Sequence, residues 1–145
     1  VTEEPPGTAV LMFIAHRDVE TRVMAALAAA GVTDVTLAQS RLLQRLSPAG
    51  TRLTDLADQA RVTKQTAGAL IDQLERSGYV VRRPDPSDAR ARLVTLSEKG
   101  ATLCRVVADE VGRIEGQWRE HLGARSFDAL RTALLSLREI TDPYR

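Results

Sequence analysis

The chain has 145 residues, long enough to bury one real core, with 43% hydrophobic and 27% charged residues, an ordinary balance for a soluble globular protein. Its longest uncharged apolar run, Thr8 to His16, is far short of the ~20 residues that span a bilayer, and it has neither a basic leader nor a small-residue cleavage site. A single cysteine, Cys104, rules out an intramolecular disulfide or a cysteine-built zinc site, so a cytoplasmic protein without membrane contact is expected. The net charge of +1 hides an uneven distribution: Arg61 to Arg92 carries +3 and the rest −2. Positive charge gathered in one block suits nucleic acid only if it falls on the right elements.

In chain order, Pro5-Pro6-Gly7 reads as a lead-in, and Thr8 is the expected cap of a long helix ending near Ala30, with Gly31 as its stop. Met12, His16, Val19, Val23 and Leu27 recur on one stripe of it, and Val10, Phe13 and Ile14 widen the apolar face. About 22 helical residues extend ~33 Å, more than one small core needs, so the helix is expected to pack on a partner chain. Thr36 with Gln39 three residues on predicts a capping box for a second helix. That helix buries Leu42, Leu43 and Leu46 and is expected to end at Ser47-Pro48-Ala49-Gly50. A short third helix is expected from about Arg52 to Ala60. After a three-residue turn, Thr63 caps a fourth, with Ala67, Leu70, Ile71 and Leu74 inward and Gly78 as its stop.

The period then switches. Tyr79–Arg83 and Ala91–Leu96 read as strands joined by a turn-rich loop, Pro84–Arg90. Ser97 is expected to cap a long fifth helix to about His121, with Leu103, Val107, Val111, Ile114 and Trp118 along one side. Gly123 breaks it, and Ser126 is expected to cap a last helix that stops at Asp142-Pro143. The fold class expected is mainly α with a small β-wing: a winged helix-turn-helix lobe over residues 33–100, with residues 1–32 and 101–145 forming a long-helix dimerisation region.

Such a lobe reads double-stranded DNA with its second helix, whose N-terminal residues face base edges in the major groove. Lys64, Gln65, Gly68, Ala69 and Asp72 are the outward positions expected there. Gln65 pairs well with adenine, Lys64 donates to guanine or phosphate, and Ala69 suits a thymine methyl. Thr63, Thr66 and the free N–H groups of the first turn favour a phosphate. In the wing, Arg82, Arg83, Arg90 and Arg92 flank a loop able to enter a minor groove, with Asp88 close enough to orient a guanidinium by a bidentate pair.

The motifs from Thr33 to about Leu103 resemble the MarR family (multiple antibiotic resistance regulators). They are Leu37-Ala-Gln39, Leu53-Thr-Asp-Leu-Ala57, Val62-Thr-Lys-Gln-Thr66, Leu74-Glu-Arg-Ser-Gly-Tyr-Val80, Asp85-Pro-Ser-Asp-Ala-Arg90 and Leu96-Ser-Glu-Lys-Gly100. The resemblance implies a homodimer held by the first and last two helices, a pseudo-palindromic operator, Arg90 as the minor-groove residue and Asp88 as wing support. It also implies release from DNA by a small aromatic or lipophilic ligand, and transcriptional repression.

Met12 and His16 are the candidate lining of such a ligand pocket. His16 reads first as a satisfied core or interface histidine and only second as a pocket residue, while a metal role has little behind it, since His121 is the one other histidine. Cys104 reads as a small buried hydrophobe, and Trp118 as dimer-core packing rather than a ligand platform. No Ser-His-acid or Cys-His set, Gly-rich phosphate loop or His-Glu-x-x-His occurs, so neither an enzyme nor a cofactor is expected. A winged helix used only for protein contacts is the remaining alternative.

Overall fold

A computed structural model describes residues 4–144 as six helices and a three-stranded antiparallel sheet. The elements are α1 (Thr8–Ala29), α2 (Leu37–Leu43), β1 (Thr51–Arg52), α3 (Leu53–Ala60), α4 (Lys64–Arg76), β2 (Val80–Asp85), β3 (Asp88–Leu96), α5 (Glu98–Leu122) and α6 (Ala124–Thr141). The expected fold class is the one observed. Among the described residues no helix is long and apolar enough to cross a membrane.

Local chemistry explains most boundaries. The α2 capping box forms in full: Thr36 Oγ1 accepts from the Gln39 N–H and Gln39 Oε1 from the Thr36 N–H. Thr63 and Ser97 cap α4 and α5 in the same one-sided way, each hydroxyl accepting the N–H three residues on. Other expected boundaries need correction. Neither Thr8 nor Ser126 is a cap: both already lie inside helices preceded by Gly7 and Gly123 without a side-chain cap. α2 stops at Leu43, ahead of the Ser47–Gly50 turn, because the chain must turn there to reach β1.

β1 escaped the sequence reading. Its two residues pair with β3, Thr51 opposite Val94 and Arg52 opposite Leu93, giving the sheet order β1-β3-β2. Gly50 delivers the chain to that edge with φ +97°, and a Cβ there would stand 2.9 Å from Leu93 Cβ. The expected wing loop Pro84–Arg90 is mostly strand, with a tip reduced to Pro86-Ser87. Pro84 faces Arg92 while Asp85 faces Asp88, so residues 89–91 bulge from β3 with Arg90 in the middle.

The core lies inside the reading lobe and along the α1–α5 contact. Leu56, Ile71, Leu74, Leu42 and Val80 are fully buried, joined by Val23 and Leu27 of α1 and Leu103 of α5. Burial of each such side chain contributes about 1.5–3 kcal/mol. Tyr79 ties the lobe to the α1–α2 connection, its hydroxyl donating to Asp34 Oδ1 at 2.6 Å. Burial first, and that hydrogen bond second, push the phenol up to about 12. The two ends of the chain are packed differently. α6 has no buried residue, and Leu130, Leu134, Leu135, Leu137 and Ile140 are exposed, as are Val10, Leu11, Phe13 and Ile14 of α1.

Candidate nucleic-acid interface

The α3–α4 turn consists of Arg61, Val62 and Thr63. Arg61 adopts the left-handed conformation, φ 55°, and the Val62 N–H donates to Ala57 O, which turns the chain sharply into α4. Thr63 also donates through its hydroxyl to Thr66 Oγ1 at 2.9 Å, so the two threonines act as one unit at the helix start. Beside them Lys64, Gln65 and Ala69 are exposed, as expected. Gly68 differs. It is half-buried, and a Cβ there would sit 3.6 Å from Leu53 Cδ2, so it lies along the α3–α4 contact rather than on the outer face. Asp72 is exposed but engaged: with Glu75 it holds Arg82 at 2.6 and 2.9 Å, bracing β2 against α4.

The wing is built around Asp85 rather than Asp88. Asp85 Oδ1 accepts from the N–H and hydroxyl of Ser87 at 2.9 and 2.7 Å, closing the tip as an Asx-turn. Its Oδ2 accepts from Arg52 Nε and Nη2 at 2.8 and 2.6 Å. The Ser87 hydrogen bonds, ahead of Arg52, hold the Asp85 carboxyl below the usual carboxylate range. Among the described residues Asp88 makes no guanidinium pair; its Oδ1 accepts from the backbone N–H of Arg90 at 3.0 Å, which shapes the bulge and leaves the Arg90 side chain to solvent. The reason is geometric: the bulge sends Arg90 away from the carboxylate two residues before it.

These elements enclose a groove of 410 Å³ between the start of α4 and the wing, lined by Arg52, Lys64, Arg82, Arg90 and Arg92 over Val94. Arg52 and Arg82 are neutralised by their carboxylates, whereas among the described residues Lys64, Arg90 and Arg92 enter no ion pair. The groove therefore presents three uncompensated cations beside the exposed start of a helix, an arrangement matched to a polyanion that is both read and gripped. Arg52 and Asp85 were missed in the sequence because they lie 33 positions apart. The Asp85-Pro-Ser87 tripeptide, a recognisable Asx-turn sequence, was the available signal.

The remaining candidates lie elsewhere. Met12 is exposed on α1, whereas His16 borders a separate cavity between α1, α2 and α5. Cys104 is half-buried, and burial raises its thiol pKa. Among the described residues no group of three or more His, Cys, Asp or Glu side chains is placed to hold a metal ion.

Residues 33–91 match the sequence family described as MarR family. The transcriptional activatory protein BadR of Rhodopseudomonas palustris is 34% identical over 118 residues, 81% of this chain and 66% of that protein's length. The chain belongs to the MarR family. This is a family of DNA-binding transcriptional regulators rather than enzymes. Among solved MarR-type structures, the transcriptional repressor CouR bound to a 23-mer DNA duplex is 28% identical, with a TM-score of 0.67, covering 90% of this chain and 92% of that one. NadR in complex with 4-hydroxyphenylacetate is 24% identical with a TM-score of 0.71, covering 97% of this chain and 98% of that one, a likeness of fold.

Proposed function

We propose that this MarR-family protein is a homodimeric, ligand-responsive repressor that binds a pseudo-palindromic operator. The observation that carries the reading is the cationic groove, in which Lys64 of the reading helix and Arg90 and Arg92 of the wing stand unpaired on one side of the lobe. In this reading Lys64, Gln65 and Ala69 meet base edges in the major groove, while Thr63 and Thr66 hold the adjoining phosphate. Arg90, raised on its bulge, enters the neighbouring minor groove, with Arg92 as a weaker contact on the phosphate side. Asp85 and Asp88 support the wing, one at its tip and one at its bulge.

Dimerisation is supported by apolar surface that one chain leaves uncovered. The first turns of α1 and one face of α6 expose nine large hydrophobic side chains between Val10 and Ile14 and between Leu130 and Ile140, Met12 not counted. A second copy of the chain is the occupant that a self-complementary pair of helices suits. Residues 33–100 would then be the reading lobe, and residues 1–32 and 101–145 the dimerisation region. A small effector is supported by the cavity that His16 borders and by the ligand-bound NadR of the same fold.

A second reading, transcriptional activation, is favoured by one observation: the 34%-identical relative is an activatory protein. Both readings share the DNA contact and differ in where the operator lies. Genomic fragments retained by the purified chain, sequenced and then used in transcription in vitro, decide between them. Sites overlapping a promoter with reduced transcript support repression. A folded monomer by sedimentation at low micromolar concentration, or retention indifferent to salt, would remove the proposal altogether.

A further inference from the structure

The reading helix α4 is held on its core side by Ala67, Ile71 and Leu74, all fully buried. Hydrocarbon packing decides which face turns inward, but it is non-directional and tolerates small shifts. Reading a base needs more. With side chains the helix is about 10–12 Å across, so a roll of about 10° about its axis carries a side-chain tip by about 1 Å. That spoils a bidentate pair between Gln65 and a base, whose hydrogen bonds need donor and acceptor within about 2.7–3.2 Å. A helix rolls as one body, so whatever fixes the roll at its far end fixes it at Gln65.

Directional contacts stand at that far end, two of them from residues 34–39, the stretch by which the chain passes from α1 into α2. Gln39 is 4% exposed, and its side-chain amide serves two helices. Its Oε1 accepts from the Thr36 N–H at 2.9 Å and closes the α2 capping box, which leaves the amino group for α4. There Nε2 donates to Gln73 Oε1 at 2.8 Å. Just beyond the helix, the Tyr79 hydroxyl donates to Asp34 Oδ1. From α5, Lys99 Nζ donates to the carbonyl of Ser77, the C-cap of α4, at 2.7 Å and stands 4.3 Å from the centre of the Tyr79 ring. The Ser77 and Tyr79 contacts hold the end of the helix in place. The Gln39–Gln73 contact acts on a side chain of α4 itself, off the axis, and so resists roll.

We propose, on the reading of α4 as the major-groove element, that Gln39 is a positioning residue for sequence recognition. Through Gln73 it sets the roll of the reading helix, and it governs specificity from a buried site that touches no DNA.

The test uses the full chain, an operator it selects from a random duplex pool, and a scrambled duplex of equal length. Gln73→Ala is the primary variant, because Gln73 is exposed and its loss leaves the Thr36–Gln39 capping box whole. Circular dichroism confirms that each variant is folded at the assay temperature. Gln73→Ala should lower the operator-to-scrambled affinity ratio at least about fivefold, while affinity for the scrambled duplex changes by less than about twofold. Its selected sequences should lose preference at every position that α4 reads, whereas Gln65→Ala relaxes one symmetric pair. Gln73→Glu, whose carboxylate also accepts from Gln39 Nε2, should bring the ratio back to within about twofold of the parent, since its added charge acts on both duplexes alike. A purely structural loss gives a different pattern: it lowers the active fraction on both duplexes and leaves the ratio unchanged.

An unchanged ratio in folded Gln73→Ala, beside a parent that discriminates, overturns this inference and leaves the proposed function standing. So does a loss of preference confined to one symmetric pair, which makes Gln73 a base contact. An equal loss on both duplexes with a flatter salt slope makes it a phosphate contact, with the same consequence. A ratio in Gln73→Glu as low as in Gln73→Ala also overturns the inference. A parent chain with no operator preference removes the proposed function, and this inference with it.

Discussion

Gly100 and Gly112 belong to the same helix, and replacing each by alanine should shift stability in opposite directions. At Gly100 a Cβ would fall 2.0 Å from the carbonyl oxygen of Tyr79, so the first turn of α5 would have to withdraw from the strand by about 1 Å or more to restore van der Waals separation. That turn is held in place. The Ser97 N–H donates to Tyr79 O at 3.0 Å, the Ser97 hydroxyl to Gly78 O at 2.5 Å, and the Gly100 N–H to Ser97 Oγ at 3.0 Å. Withdrawal strains or breaks the first two, at about 1 kcal/mol each. Overpacking adds about 1–3 kcal/mol, against a helix-propensity gain of up to about 1 kcal/mol. The balance is a loss of about 2–4 kcal/mol, a fall in melting temperature of roughly 5–20 °C. At Gly112 nothing lies within 4 Å of the built Cβ, and Gly112→Ala should gain up to about 1 kcal/mol. Urea and thermal denaturation at one protein concentration measure both. A neutral or stabilised Gly100→Ala would mean that the lobe and α5 are not in the close approach described.

Three further predictions concern the site and its surroundings. Gln65→Ala should lose ~1–3 kcal/mol per half-site on the best operator and much less on random DNA, whereas Arg90→Ala should weaken binding to both. Arg90→Ala should also flatten the salt slope by up to about one unit for each phosphate neutralisation removed, and undiminished binding to scrambled duplex by this variant would take the wing out of the interface. The folded-state pKa of Glu20 is depressed, chiefly by the Arg41 hydrogen bond, so its stabilisation is present above the ordinary value of 4.5 and disappears as pH falls through the lower folded value. Glu20→Gln should remove that part of the acid-side slope, seen in urea midpoints between pH 6 and about pH 3, and an identical slope in the variant would exclude Glu20 as its source. Cys104→Ser should leave DNA affinity and its response to peroxide unchanged, because burial raises the thiol pKa and no second cysteine exists to resolve an oxidised one.

What was legible in the sequence was what local chemistry decides. The Thr36–Gln39 box, the Thr63 and Ser97 caps and the apolar repeat of α4 each involve partners within about two helical turns, and each appears as read. What escaped depends on partners far along the chain. β1 is two residues long and exists only because β3 lies beside it. The wing sequence looks like a loop because Pro84, Asp85, Pro86 and Ser87 are all turn formers; three hydrogen-bonding groups converging on Asp85 fold it into a tight hairpin instead. Asp88 and Gly68 were misplaced for one reason: spacing along an ideal element says nothing about a bulge or about the neighbour that turns a position inward. Glu20, on the apolar stripe side of α1 yet buried, was passed over because Arg41 lies 21 residues away.

The placement of the cavity between α1, α2 and α5 bears on how a small ligand could govern a large surface. In the dimer proposed above, two reading helices must fit half-sites about 34–36 Å apart, so each stands about 17 Å from the two-fold axis. A rotation of each lobe of about 10° about the two-fold axis moves a reader by about 3 Å, close to the ~3.4 Å rise of one base pair. Sub-ångström accommodation at the DNA surface is therefore unnecessary; a modest turn at the joint puts both readers out of register at once. Lobe and long helices are linked there by the burial of Val23, Leu27 and Leu103 in the shared core, by the Glu20–Arg41 pair and by the Ser97 and Gly100 contacts with Gly78 and Tyr79, beside a cavity. A ligand filling the space between α2 and α5 favours the lobe angle that closes around it, and it shifts the population only by the difference in its affinity for the two angles. Under the proposed function, regulation would reside in the packing of Val107 and Val111 against α2 and leave the proposed readers Lys64, Gln65 and Arg90 unaltered, so variants at Val107 or Val111 should change the response to ligand without changing the preferred operator.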